Sequence, residues 1–156
     1  MENPNKTLFD CQQMFRHACA FADCADFAME DFDPQNIAVE WYSTPATVNA
    51  AFACEVYLKA LLKYNDIPVK KEHRLKELYE LLPEKPREWI KLTVINHYGQ
   101  WSDCFGLDYL ANISNAFIDW RYSYESDHQM SIYLGFLMTF RDALREACCQ
   151  LFFGKT

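Results

Sequence analysis

The apolar positions along this chain recur at helical spacing almost from end to end. After Thr7-x-x-Asp10, which reads as a capping box, Leu8, Cys11, Phe15, Ala18, Ala22, Ala25 and Met29 follow at alternating steps of three and four. This predicts a first helix of about six turns at ~3.6 residues per turn, closed by Glu30-Asp31-Phe32-Asp33-Pro34, whose proline cannot continue it. Ser43-Thr44-Pro45 predicts the start of a second helix, with Thr44 as N-cap and Pro45 in the first helical position. From Val48 to Leu62 nearly every face of that helix is apolar, so other helices are expected to cover it on most sides. Its charges before Lys63 are Glu55 and Lys59, four apart with the acid first, the favourable order for a helix ion pair.

Asp66-Ile67-Pro68 stops the second helix, and a short amphipathic segment carries His73, Leu75, Leu78, Leu81 and Leu82 as far as Pro83. A fourth helix is predicted from near Pro86 with Trp89, Ile90, Val94 and Ile95, and Gly99 to Gly106 reads as a loop. The next has Leu107, Leu110, Ile113, Phe117, Trp120 and Tyr124 as its buried stripe, which sets Arg121 beside that stripe. A last helix runs from Gln129 to Phe153 on Ile132, Phe136, Phe140, Leu144, Cys148 and Leu151, with Gly154 as its C-cap. The pattern predicts one all-α domain over residues 1–156, a bundle of five to six helices.

Composition agrees with this. A 51% hydrophobic content supplies a core, and only four Gly and six Pro argue against a sandwich or barrel. No apolar run approaches the ~18 residues of a membrane span, and the opening residues lack signal-peptide shape. A cytoplasmic protein with no membrane partner is expected. The net charge of −7 disfavours broad, charge-driven binding to nucleic acid, so any RNA contact must be local. One basic patch stands out: Lys59, Lys63, Lys70, Lys71, Arg74 and Lys76 against Asp66 and Glu72, which reads first as a solvated surface. The seven cysteines are odd in number and lack paired C-x-x-C spacing, so they read as reduced core residues and no metal site is expected.

The chemistry concentrates in Trp120-Arg121-Tyr122-Ser123-Tyr124-Glu125-Ser126-Asp127-His128, where two helices are expected to meet. Ser126 reads as an N-cap with Gln129 reaching back, which puts His128 in a helix's first turn, where the dipole favours neutral imidazole. His128 then exchanges a proton near neutral pH while Arg121 supplies a fixed cation, a pairing suited to phosphate chemistry. The bland reading is that Arg121 pairs with Glu125 or Glu55 and that His128 only covers a helix start.

Ala51-Phe52-Ala53-Cys54-Glu55-Val56-Tyr57-Leu58-Lys59-Ala60-Leu61-Leu62, then His73-Arg74-Leu75-x-x-Leu78, then Trp120-Arg121-Tyr122 with His128 following, resembles a HEPN domain. That family is a small helical bundle, usually dimeric, found in toxin–antitoxin, abortive-infection and CRISPR-associated systems, with an R-x(4–6)-H signature. Here six residues separate Arg121 from His128. The resemblance implies a homodimer that cleaves RNA without metal or cofactor by attack of the 2′-hydroxyl on the adjacent phosphate. Arg121 would clamp the phosphate and His128 act as acid and base. Tyr122 or Tyr124 would orient them or stack a base, with Glu55, Lys59 and His73 as supporting substrate-binding residues. The alternative is a non-catalytic HEPN module that binds a nucleotide, RNA or a nucleotidyltransferase antitoxin. A third reading is a helical dimerisation domain with no small ligand.

Overall fold

The computed structural model describes residues 3–30, 39–69, 71–98, 107–125 and 132–154. Those residues form an all-α bundle with no strand among them: α1 (Pro4–Glu30), α2 (Val39–Tyr64), α3 (Leu75–Glu80), α4 (Glu84–Tyr98), α5 (Leu107–Ser114), α6 (Ala116–Arg121) and α7 (Leu134–Phe153). A single 3-10 turn, Ser123–Glu125, follows α6.

The apolar run of α2 makes it the central element, in contact with α1, α3, α6 and α7. Its pairing with α1 is antiparallel. The Cys11 thiol donates to Ala60 O at 3.5 Å, the Tyr57 hydroxyl to Cys19 Sγ at 3.2 Å, and the Phe21 and Phe52 rings meet edge-on at 4.5 Å. Alanines dominate the contact, with Ala18, Ala22 and Ala25 of α1 and Ala46, Ala50 and Ala53 of α2 all buried. Small side chains at a helix contact let the two axes approach closely. Aromatic rings close the opposite end, where Phe15 packs on Phe152 and Phe153, and Tyr64 on Phe152. In α7 the strict four-residue step Phe136, Phe140, Leu144, Cys148, Phe152 is buried, whereas Leu151 lies outside the stripe and is exposed.

Several element boundaries differ from the sequence expectation. α1 starts at Pro4, not after Thr7: Asn3 caps it, its Oδ1 accepting from Asn5 N–H at 3.1 Å, with Pro4 at the first position where a missing N–H is harmless. α2 does not open at Thr44; Pro45 lies inside it. A 27-residue α1 extends about 40 Å at 1.5 Å per residue, and α2 must run on past Pro45 to stay paired with it. Nearby side chains bond carbonyls of that turn, with Thr47 Oγ1 donating to Ser43 O at 2.7 Å and Asn49 Nδ2 to Pro45 O at 2.8 Å. The helix expected from Leu107 to Tyr124 breaks at Asn115 into α5 and α6. α7 begins at Leu134, and its approach is held from outside: Tyr133 N–H donates to Asn112 Oδ1 on α5 at 2.8 Å. The loop expected at 99–106, and Ser126 and Gln129 as a capping pair, lie outside the described residues. Gly154 ends α7 in the left-handed conformation, φ 60, as expected of a C-cap glycine.

Candidate functional site

Arg121 is the last residue of α6, and the ring of Phe117, one turn earlier, lies under it. The guanidinium carbon sits 4.9 Å from the Phe117 centroid and 4.7 Å from that of Tyr122. Phe117 in turn packs on Phe52 of α2 at 4.9 Å, which anchors the platform to the central helix. Tyr124 meets Tyr122 edge-on at 6.5 Å and is 78% exposed. Arg121, Tyr122 and Tyr124 therefore form one exposed aromatic and cationic surface. Arg121 makes no ion pair among the described residues, so the bland pairing with Glu125 or Glu55 is not what the structure has. A guanidinium stacked on rings keeps its in-plane N–H donors open, the arrangement that suits a bidentate oxyanion. His128 lies outside the described residues.

Glu55, Lys59 and His73 form a separate cluster. Glu55 is buried on α2, and its Oε1 accepts from Lys59 Nζ at 2.7 Å and meets His73 Nδ1 at 2.9 Å. Its Oε2 is buried without a partner. The cluster ties the segment before α3 to the central helix. Beside it, a hydrogen bond from the Arg74 side chain, reinforced by the Arg74 backbone N–H, holds the Glu72 carboxyl well down, at about 2. No hydrogen bond or ion pair joins this cluster to Arg121. Ser114 sits against the start of α3, accepting from Lys76 N–H at 3.0 Å and donating to Glu77 Oε2 at 3.3 Å. α6 then carries Arg121 up to about 10 Å away along its axis, at 1.5 Å per residue.

No family model, curated protein or solved structure matches the chain.

The basic patch proves largely neutralised. Lys59 pairs with Glu55, Lys63 with Asp10 at 3.4 Å, Arg74 with Glu72 and Glu77, and Lys76 with Glu80 at 3.6 Å. Lys71 is exposed, and Lys70 lies outside the described residues. Sequence reasoning placed Phe117 in the core stripe and missed its part in the Arg121 surface; the signal was its position four residues before the arginine on one helix face. Among the described residues no helix is long and apolar enough to cross a membrane. Of the cysteines, Cys11, Cys54 and Cys148 are buried as expected, Cys19 and Cys149 are partly covered, and Cys24 is exposed, contrary to a core role. Cys104 lies outside the described residues.

Proposed function

We propose that this chain is a HEPN-type domain that binds RNA or a nucleotide through Arg121, Tyr122 and Tyr124 at the end of α6. The observation that carries this reading is the exposed Arg121 guanidinium, stacked over Phe117 and Tyr122 with no acidic partner among the described residues. A phosphate can take its in-plane donors while a base stacks on Tyr124, a contact worth about 1–3 kcal/mol per base and available to any nucleobase. Such a contact is local, which suits a chain of net charge −7.

A guanidinium without an ion pair among the described residues also favours the catalytic version of this reading. In it Arg121 stabilises charge on the phosphate as the 2′-hydroxyl attacks, and His128 moves the proton without a metal. As the resemblance implies, two subunits would together form the site; a strictly monomeric mass by light scattering at micromolar concentration counts against that. The deciding experiment incubates structured RNA with the protein in EDTA, beside Arg121→Ala and His128→Ala. Cyclic-phosphate ends produced only by the parent establish cleavage and both residues. RNA bound but uncut, with binding lost in Arg121→Ala, establishes the non-catalytic module. Unchanged binding in Arg121→Ala removes the α6 surface from the function.

A further inference from the structure

The periodicity of α7 predicts Leu151 in its buried stripe, yet Leu151 is 40% exposed, and Tyr64 at the end of α2 is 39% exposed. Both line one pocket of about 430 Å³, where the C-terminal ends of α2 and α7 meet the start of α4. The volume falls within the ~300–1,000 Å³ of small-molecule sites. A single apolar side chain exposed on a surface needs no explanation, but several around one concave space do. The walls here are Tyr64, Pro83, Pro86, Trp89, Ala147 and Leu151; the polar side chains of the lining are Asn65, Lys85 and Gln150.

Each wall is held by its own helix end. α2 closes in a turn at Asp66, φ 56, that bonds Ile67 N–H to Leu62 O at 2.9 Å, and the Tyr64 ring packs on Phe152 at 5.4 Å. The first turn of α4 is fixed by Arg87 N–H on Pro83 O at 3.2 Å and by the Tyr79 hydroxyl, which donates to Arg87 O at 2.9 Å. A pocket formed in advance loses little ordering entropy on binding. The lining also selects its guest. An indole, a phenol and two pyrrolidine rings favour a flat aromatic molecule over an aliphatic one of similar size. Asn65 adds a direction: its Nδ2 donates to Leu61 O at 2.7 Å, which fixes the amide and leaves Oδ1, an acceptor, as the atom it offers to a ligand.

We infer that this pocket binds a small planar aromatic ring that carries an N–H donor, its faces against Tyr64, Trp89 and Leu151 and its N–H on Asn65. The site shares no residue with the Arg121 surface, so it stands or falls separately from RNA binding. The test follows the side-chain N–H signal of Trp89 by NMR in the isotope-labelled full chain, identified by its loss in Trp89→Phe. The chain is titrated with indole, with benzofuran, which has oxygen in place of the N–H, and with cyclohexylmethanol, which is not aromatic. Indole should move the signal with millimolar affinity, in keeping with so small a ligand. The other two should each bind about fivefold more weakly, the weight of one neutral hydrogen bond for benzofuran and of one aromatic contact for cyclohexylmethanol. Asn65→Ala should bring indole down to the affinity of benzofuran and leave benzofuran unchanged. Leu151→Lys, at a position open enough to leave the fold intact, should weaken all three. An unmoved Trp89 signal, equal affinities for indole and cyclohexylmethanol, or a preference for indole over benzofuran that survives Asn65→Ala overturns the inference.

Discussion

His73 Nδ1 lies 2.9 Å from Glu55 Oε1 across 18 residues of sequence, on a carboxylate side chain only 4% exposed. Lys59 meets the same oxygen, and the other oxygen has no partner. The carboxylate is thus held at one atom by Lys59 and His73, two side chains that keep their own access to water. Removing it strips both of their shared acceptor and leaves a hole beside α2. Glu55→Ala should cost about 2 kcal/mol by urea unfolding. His73→Ala should cost under about 1 kcal/mol, since a half-exposed side chain is easily replaced by water. A larger loss from His73→Ala than from Glu55→Ala would overturn this ranking. Glu55→Met, which fills the space but still leaves Lys59 and His73 without their acceptor, should recover only the packing part of that loss.

Arg141 is buried in α7 and divides its guanidinium between Asp26 of α1 and Asp142, each at 2.7 Å. Burial works against its charge, but the hydrogen bonds to Asp142 and Asp26 outweigh that and hold it above the ordinary arginine value. Lysine has a point charge and cannot span two carboxylates as a planar fork does. Arg141→Lys should therefore lose about 1–2 kcal/mol in chemical denaturation. Asp26→Asn in the Arg141→Lys background should cost less than in the parent, which a double-mutant cycle reads directly.

Two helix ends use the left-handed conformation with opposite residue choices. Gly154 has nothing within 4 Å of where a Cβ would stand, so Gly154→Ala should cost about 0.5–1 kcal/mol for backbone conformation alone. Asp66→Gly should do the reverse, gaining about 0.5–1 kcal/mol by relieving both the φ and the charge at the helix end. Thermal melts that move in the same direction for both variants would contradict this account.

The cysteines should label in order of burial. Cys24 is exposed and should react first with a neutral-pH alkylating agent, followed by the partly covered Cys19 and Cys149. Burial pushes the thiols of Cys11, Cys54 and Cys148 up, and these should label only on unfolding. Peptide mapping separates the sites; protection of Cys24 in the native protein would show that its face of α1 is covered in solution.

The helical character of nearly every element, the burial of α2, the C-cap at Gly154 and the Glu55–Lys59 pair were legible in the sequence, because each depends on residues within about one or two helical turns. The true starts of α1 and α2 were less so. Asn3-Pro4 and Thr44-Pro45 are equivalent start signals, and only the pairing of α1 with α2 makes one a cap and the other a residue inside a helix. Arg141 sat on the Leu137, Leu144, Cys148 face, but its acid on α1 lies 115 residues away. Tertiary structure alone decided that Glu55 meets His73 and that Phe117, the ring beneath Arg121, packs on Phe52 of α2. Local periodicity specifies which face of a helix is apolar; it does not specify which element covers that face, or how far along its neighbour each side chain comes to lie.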